Sequence, residues 1–259
     1  MAVREDARVL CYAMLRYSIS NESRLTRLRF FNNPSNGASS NNIRNSLNKT
    51  FDKYRDDPKE EPDEINIEGA SQLLGELQIG LDDVGALIFS EIVQSPSLGK
   101  ITREGFVDGW ADVNIDSQPK MRNLVLQRRS ALPTDKPMFK SVYEHTFQLA
   151  LAPGSKTLPL EIAIEFWRML FTAPAYEWRT SSTPWLEWWL EFQTEEKKTK
   201  AVNKDLWKQT LNFAKETLKD DSLGFWTEES SWPSVIDEFV EWVKVEKRQG
   251  GGGDVMDVE

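Results

Sequence analysis

The chain has 259 residues, of which 39% are hydrophobic, so it can bury one large core or two small ones. Its formal net charge is −9, whereas binding to nucleic acid or to an anionic membrane needs a basic surface. It has one cysteine, Cys11, and one histidine, His145, which excludes an intrachain disulfide, a structural zinc site, and any histidine-activated nucleophile that does not use His145. No apolar run approaches the roughly 20 residues of a membrane-spanning helix, and no signal peptide is recognisable at the N-terminus.

The first 42 residues are predicted to lie outside the folded domain. Within residues 1–30, one candidate helix face is formed by Val9, Leu10, Ala13, Met14 and Tyr17. Residues 32–42, with the sequence NNPSNGASSNN, have the composition of a flexible linker. We therefore assign residues 1–42 to a divergent or truncated N-terminal segment and linker.

From residue 43 onward the hydrophobic residues recur every three or four positions, which is the spacing of one face of an α-helix. About ten helices joined by short polar breaks are predicted, and only Glu64–Ile67 and Leu98–Ile101 are expected to make short extended contacts. The residues that mark the helix starts are Asn41, Asn42, Thr102, Ser117, Pro159, Thr183, Pro184, Asn203 and Ser231. Residues 249–259 include a glycine run and are expected to form a disordered tail. The pattern predicts an all-α fold.

Residues 52–68 have the outline of an EF-hand, with an acidic loop between two helices. A calcium-binding loop needs oxygen ligands at alternate positions, a central glycine and a glutamate at position 12. Here the acids are irregularly spaced and Pro58 and Pro62 stand between them. We interpret the segment as an EF-like helix pair without metal ligands. A calcium-responsive helical regulator is the alternative interpretation of the whole chain.

The single histidine gives little support to a hydrolase, the third class of function considered. His145 follows Glu144 on a predicted helix, and no serine or cysteine signature places a nucleophile beside it. A structural or surface role is favoured.

Aromatic and acidic residues concentrate toward the C-terminus. Trp185, Trp188 and Trp189 cannot all face one way on a helix, and core packing is favoured over an exposed partner anchor. The stretch from Glu216 to Glu241 carries eight acids against one base, interleaved with aromatic residues. It is interpreted either as a solvated face or as an acidic patch with an apolar centre that orients a basic partner.

Four spaced segments carry a family resemblance: FVDG at 106–109, IAIEFW at 162–167, KDLW at 204–207 and WPSVIDEFV at 232–240. Together and in this order they resemble the potentiating neddylation domain of the defective in cullin neddylation family, as a fungal-like member over residues 43–248. The resemblance implies a compact domain with two EF-hand-like helix pairs lacking metal ligands, followed by a C-terminal helical bundle. The family often has an N-terminal ubiquitin-binding domain, which residues 1–29 do not match.

The resemblance also implies a function in cullin neddylation. Members of the family act as scaffold-type co-ligases without a catalytic centre and need no cofactor or metal. Their partners are the C-terminal winged-helix domain of a cullin and the neddylation conjugating enzyme with its acetylated N-terminal methionine, and contact with the cullin-associated RING protein is compatible with this arrangement. Nucleic acid and membrane are not expected partners. The expected location is cytoplasm and nucleus.

Two sets of site residues follow from the resemblance. The cullin-binding positions are Asp205, Ser231 and Asp237, where Ser231 replaces the alanine of the family pattern and both aspartates are expected to be exposed. The positions that correspond to the N-acetyl-methionine pocket are Ile67, Ala70, Leu74, Ala86, Phe89, Val93, Ile101, Leu149 and Met169. The second set is apolar, as a methionine pocket requires, and the same residues could equally form part of the core.

Overall fold

The computed structural model describes residues 37–195 and 200–249. The predicted helix face at residues 9–17, with Cys11, lies outside the described residues. Within the described ranges the chain forms ten α-helices and four short strands, so the predicted all-α fold is confirmed. None of the helices in these ranges has the length and apolar character needed to cross a bilayer.

The helices follow one another with short connections. They are α1 Gly37–Lys53, α2 Ile67–Glu76, α3 Val84–Ile92, α4 Arg103–Asp112, α5 Gln118–Ala131, α6 Lys136–Ala150, α7 Leu160–Leu170, α8 Trp185–Glu195, α9 Lys204–Thr217 and α10 Ser234–Trp242. A π-helical segment, Val243–Gln249, continues α10 directly. The strands are β1 Glu64–Ile65, β2 Ile101–Thr102, β3 Thr157–Pro159 and β4 Ala201–Asn203.

Two predicted helix starts are confirmed by cap hydrogen bonds. The Thr102 hydroxyl accepts from the backbone N–H of Gly105 at 3.1 Å, and the Asn203 side chain accepts from the N–H of Leu206 at 2.8 Å. Each bond satisfies one of the backbone donors that a helix N-terminus leaves unpaired. Ser117 stands at the N-cap of α5, but its side chain makes no cap hydrogen bond.

Two other predicted starts are wrong. Helix α1 begins at Gly37, before the expected caps Asn41 and Asn42 and inside the segment 32–42 that was predicted to be a linker, because extending an existing helix needs no new nucleation even through weak helix formers. Helix α10 begins at Ser234 and its N-cap is Pro233, so Ser231 does not cap it. Trp232 instead packs on Phe213 and Phe225, and the helix starts only after Pro233.

The strands form two antiparallel pairs, and extended contacts were predicted only for the segments of the first pair. Ile65 pairs with Ile101, which joins the α1–α2 pair to the α3–α4 pair in the manner of two EF-hands. In the second, Leu158 pairs with Val202 and links the start of α7 to the start of α9. These strands have three residues each and lie more than forty positions apart, so no alternating pattern is long enough to predict them.

One contiguous hydrophobic core extends from α1 to the end of α10. At its centre in the C-terminal half, Tyr143 stacks on Trp207 with 4.6 Å between ring centroids. The Tyr143 hydroxyl donates to the carbonyl of Trp207 at 2.8 Å and accepts from the indole N–H of Trp167 at 3.0 Å. Complete burial raises the pKa of Tyr143 well above its ordinary value. Helices α6, α7 and α9 are therefore fixed to one another.

The tryptophans serve mainly as core residues, as predicted. Six of the ten are fully buried, and Trp185 and Trp189 are among them, whereas Trp188 between them is only half-buried. Trp185 and Trp188 meet edge to face with 5.8 Å between centroids. The half-buried tryptophans of the C-terminal region are Trp226, Trp232 and Trp242.

Candidate protein-binding surfaces

An open groove of about 280 Å³ lies between the start of α9 and the start of α10. Asn203, Asp205 and Leu206 line one side, and Pro233, Ser234 and Val235 line the other. Asp205 is exposed in the first turn of α9, where the helix dipole favours a carboxylate. The two segments that carry the predicted cullin-binding residues are thus brought to one surface.

Asp237 differs from the expectation of an exposed aspartate. It lies one turn into α10 and is half-buried, and its carboxylate accepts a hydrogen bond from the indole N–H of Trp226 at 2.9 Å. Asp237 therefore has a structural contact as well as a surface position. Trp226 lies in the connection between α9 and α10, so this bond also holds that connection against the helix.

Ser231 is exposed in the same connection, three residues before α10 begins. Its neighbour Trp232 packs edge to face on Phe213 of α9, with 5.7 Å between centroids, and on Phe225 at 6.2 Å. The aromatic contacts anchor the backbone beside Ser231 while the serine itself faces outward. Asp205, Ser231 and Asp237 thus occupy neighbouring segments of one region, with different degrees of exposure.

The acidic stretch from Glu216 to Glu241 is less uniformly exposed than its composition suggests. Asp221 accepts hydrogen bonds within the fold, and Glu216 pairs with Lys219 at 2.7 Å. Glu228, Glu229, Glu238 and Glu241 are exposed. Lys244 of the π-helical segment lies 3.8 Å from the ring centre of Trp226 and adds a positive charge that the stretch alone did not reveal. Exposed acids and half-buried aromatic residues thus alternate along this stretch, which is compatible with both interpretations.

The nine predicted methionine-pocket residues lie mostly inside the core. Seven have 9% or less of their surface exposed: Ala70, Leu74, Ala86, Phe89, Val93, Ile101 and Leu149. Only Ile67 and Met169 are half-buried. Phe89 packs on Trp110 with 5.6 Å between centroids, and the carbonyl of Leu149 accepts from the N–H of Leu98 at 3.1 Å. A ligand at these positions would have to enter beside the two half-buried residues and displace packed side chains.

A second groove, of about 450 Å³, lies on another face of α3 and was not anticipated. It is lined by Glu91 of α3, Leu124 and Arg128 of α5, and Met138 and Ser141 of α6. Arg128 pairs with Glu91 at 3.3 Å, and the Ser141 hydroxyl donates to Glu91 at 2.7 Å. None of the nine pocket positions lines it. In the sequence, this groove could have been indicated by Glu91, the one acidic residue of the mostly apolar α3.

Several acidic residues of the EF-like loop accept hydrogen bonds from the protein itself. Asp56 accepts from the backbone N–H groups of Asn66, Glu68 and Gly69 at 2.7, 3.1 and 3.1 Å. These bonds use the carboxylate to hold the start of α2, which weighs against a role as a calcium ligand.

The guanidinium of Arg103 occupies two further acids of this segment. It pairs with Asp52 at 2.8 Å and with Asp63 at 2.7 Å, and it donates to the carbonyl of Pro62 at 2.8 Å. A fixed cation of the protein thus lies among the acids. In the ranges 37–195 and 200–249, no group of three or more Asp, Glu, His or Cys residues is arranged to hold a metal ion.

His145 is not placed to act as a catalytic base. Burial lowers its pKa, against the opposing effects of Glu91 and of a hydrogen bond with the backbone of Ser90. Its Nε2 atom is buried and has no hydrogen-bond partner. This environment fits a structural histidine.

Comparison with known proteins connects these surfaces to a function. Residues 120–242 match the family described as cullin binding. Defective in cullin neddylation protein 1 of Pyricularia oryzae is 35% identical over 226 residues, which cover 83% of this chain and 80% of the relative. The protein of the same name from Yarrowia lipolytica is 35% identical over 196 residues, or 76% and 77% of the two chains. DCN1-like protein 3 of Homo sapiens is 32% identical over 213 residues, covering 80% of this chain and 65% of the relative.

The matched range 120–242 contains Asp205, Ser231 and Asp237 and therefore the whole groove region between α9 and α10. Of the nine predicted pocket positions, only Leu149 and Met169 fall within it. The cullin-binding match and the pocket prediction thus concern largely different parts of the chain.

Proposed function

Because this chain belongs to the defective in cullin neddylation family and serves cullin neddylation, we propose that it works as a scaffold-type co-ligase with no catalytic centre of its own. The cullin would contact the groove between α9 and α10, and the neddylation conjugating enzyme would contact the apolar positions of α2, α3, α6 and α7. The modifier would pass from the cysteine of the conjugating enzyme to a cullin lysine. The scaffold would contribute proximity and orientation, which lower a barrier without any catalytic side chain.

The observation that carries this proposal is the convergence of Asp205 and the start of α10 on one open groove within the range that matches the cullin-binding family. An exposed carboxylate on the rim suits a basic surface of the winged-helix domain of a cullin. Charged groups on an interface rim mainly set orientation and encounter rate. The stacked aromatic residues of α6, α7 and α9 make the supporting body rigid, which positioning of two partners requires.

The proposed contact with the conjugating enzyme depends on burial of its N-terminal methionine. Burying a methionine side chain gains about 1.5–3 kcal/mol, whereas burying a free ammonium beside it costs several kcal/mol unless a carboxylate pairs with it. None of the nine proposed positions is acidic, so acetylation of the terminus removes the penalty. Ile67 and Met169, the two half-buried members, are the proposed entrance.

The cullin contact is tested by charge reversal at Asp205 in a reconstituted neddylation reaction. We expect Asp205→Lys to lower the stimulation of cullin modification and to weaken cullin binding about tenfold or more, because like charges at an interface cost several kcal/mol. The matched control is Asp112→Lys, the same change at an exposed acid at the end of α4. Equal cullin affinity of the Asp205→Lys protein and the wild type in calorimetry would refute the assignment.

The conjugating-enzyme contact is tested separately with a peptide that copies the N-terminus of that enzyme. The acetylated peptide should bind and the free-amine peptide should bind much more weakly. Met169→Lys should abolish binding of the acetylated peptide while leaving the cullin affinity unchanged. Comparable affinities for the two peptides would contradict the pocket argument, and binding unaffected by Met169→Lys would move the site elsewhere.

A further inference from the structure

Four lysines of α6 and α9 gather on one face of this otherwise acidic protein. Lys136 and Lys140 lie in the first turns of α6, and Lys215 and Lys219 lie at and just beyond the end of α9. Lys136, Lys140 and Lys219 are exposed and Lys215 is half-buried. We call these four residues the lysine face.

Backbone and side-chain contacts between the two helices place these lysines together. The indole N–H of Trp207 donates to the carbonyl of Tyr143 at 3.0 Å, and Lys208 lies 4.0 Å from Glu144. Lys136 lies about two turns before Tyr143 on α6, and Lys215 lies about two turns after Trp207 on α9. Phe139, next to Lys140, stacks on Tyr176 with 4.8 Å between ring centroids. The charges of Lys136 and Lys140 act on Lys215, and the charge of Lys219 acts on Tyr176, so both steps lead to the same end of the helix pair.

The lysine face has more positive than negative charge. Two carboxylates lie among the lysines: Glu144 is 3.9 Å from Lys140, and Glu216 is 2.7 Å from Lys219. Lys136 and Lys215 make no ion pair with any residue in the described ranges 37–195 and 200–249. Four ammonium groups therefore face two carboxylates, in a chain whose net charge is −9.

The acids that adjoin these lysines in sequence are engaged locally. Asp135 caps α6 by accepting from the N–H of Met138 at 3.0 Å, and Asp220 accepts from the N–H of Ser222 at 3.0 Å. Burial lowers the pKa of Lys215, and the neighbouring lysines lower it further against the opposing effect of Glu144. The face is thus a surface on which an added anionic group would relieve repulsion.

We propose that the C-terminal acidic segment of this chain, residues 254–259, docks on the lysine face. Its sequence is DVMDVE, with three acids and no base, and four glycines at 250–253 precede it. The contact is separate from the proposed cullin and conjugating-enzyme sites and does not depend on them.

The described end of the chain lies within reach of the face. Arg248 donates to the carbonyls of Ser222, at 3.2 Å, and Asp221. Lys219 is two residues before Asp221 in sequence. An extended chain spans about 3.3–3.6 Å per residue, so the six steps from Arg248 to Asp254 cover about 20 Å.

The tether makes the internal segment a stronger candidate than a free acidic peptide. Ion pairs between exposed groups are individually weak, but a short flexible linker holds its end at a millimolar effective concentration. Glycine-rich linkers impose little conformational restriction on where the segment docks. The contact should weaken with salt, because the Debye length falls from about 10 Å at 0.1 M to about 3 Å at 1 M.

The test is zero-length carbodiimide cross-linking of the full chain, followed by peptide mapping of the monomer. Cross-links from Asp254, Asp257 and Glu259 should fall on the lysine face about tenfold more often than on comparison lysines, given the tethered concentration. The comparison lysines are Lys53 and Lys120, whose side chains are 52% and 55% exposed. The enrichment should disappear at 1 M NaCl.

A second measurement does not depend on reactive groups. Amide chemical shifts of the wild type are compared with those of a variant carrying Asp254→Asn, Asp257→Asn and Glu259→Gln, and the largest differences should map to the lysine face. Cross-links spread evenly over all exposed lysines, cross-links found only between two chains, or shift differences confined to residues 250–259 would each overturn the proposal.

Discussion

Replacing Asp221 by asparagine should destabilise the C-terminal half of the protein and loosen the connection that carries Ser231, one of the proposed cullin-binding residues. The Asp221 carboxylate accepts four hydrogen bonds from the segment that leads into α8. The indole N–H of Trp185 and the hydroxyls of Thr180 and Ser182 donate at 2.8 Å, and the hydroxyl of Thr183 donates at 2.9 Å. These donors tie the start of α8 to the α9–α10 connection.

The magnitude follows from the loss of the negative charge. Each carboxylate oxygen accepts two of the four bonds, and the amide nitrogen of asparagine would face the hydroxyls of Ser182 and Thr183, which can turn to accept from it. A hydrogen bond to a charged group contributes about 1.5–3 kcal/mol and a neutral one about 0.5–1.5 kcal/mol, so four bonds that each lose about 1 kcal/mol, discounted for the partial exposure of the site, amount to about 2–4 kcal/mol. For a protein of this size that lowers Tm by about 4–16 °C.

Thermal and denaturant unfolding measured from pH 2 to pH 7 test this expectation. Burial raises the pKa of Asp221, but hydrogen bonds from Ser182, Thr180, Thr183 and Trp185 outweigh that effect and hold it below its ordinary value. The stabilisation should therefore be present at pH 7, above the ordinary carboxylate pKa of about 3.9, and should be lost as pH falls through the lower folded value.

The matched control is Asp205→Asn, the same chemical change at an exposed residue, which should cost at most about 0.3–1 kcal/mol from the helix dipole. An Asp221→Asn protein as stable as that control at pH 7 would show that the four donors contribute little. So would a destabilisation that is independent of pH.

Further outcomes are expected elsewhere in the fold. Asp237→Asn should lower the free energy of unfolding by about 1–2 kcal/mol in chemical denaturation, because the indole of Trp226 loses a charged acceptor; an unchanged midpoint would make Asp237 a purely surface residue. Arg103→Gln should lower it by about 1 kcal/mol, since its ion pairs are partly exposed, and Trp226→Phe serves as a comparison that leaves the EF-like loop intact. Millimolar calcium should leave the tryptophan fluorescence unchanged, because Arg103 already pairs with acids of the EF-like loop. A saturable change would support the calcium-responsive interpretation. Hydrogen bonds from Lys53 and others lower the pKa of Glu76 from 4.5 to about 2, so Glu76→Gln should flatten the loss of stability between pH 4.5 and pH 2; an unaltered acid profile would contradict this.

The helical architecture could be predicted because each helix buries one face. Hydrophobic residues therefore recur every three to four positions in the local sequence. Thr102 and Asn203 were likewise predictable as caps, since a cap bonds to a backbone N–H only three residues away. Short extended contacts near Ile65 and Ile101 were predicted from the local sequence, but the pairing of the two segments with each other was not. The identity of Asp205 as an exposed acid in a first turn also follows from local sequence alone.

Site residues whose state depends on distant contacts could not be predicted in this way. Asp237 has the sequence context of an exposed helix residue, and only the approach of Trp226, eleven positions earlier and in a different segment, makes it half-buried. The same holds for Ser231, which lies outside α10 beside Trp232, and Trp232 packs on the distant Phe213. For the methionine-pocket positions, apolar character is common to a pocket wall and a core, and only packing distinguishes the two.

The sequence by itself determined which segments become helices, because periodicity, caps and prolines act within a few residues of the chain. It also determined that the EF-like loop lacks the ligand spacing for calcium. Only the tertiary structure decided what occupies that loop, where Arg103 comes from forty positions away, and which lysines of α6 and α9 meet on one face. Such contacts depend on how helices pack against a shared core, and a small change in packing angle would bring different side chains together while leaving every helix unchanged.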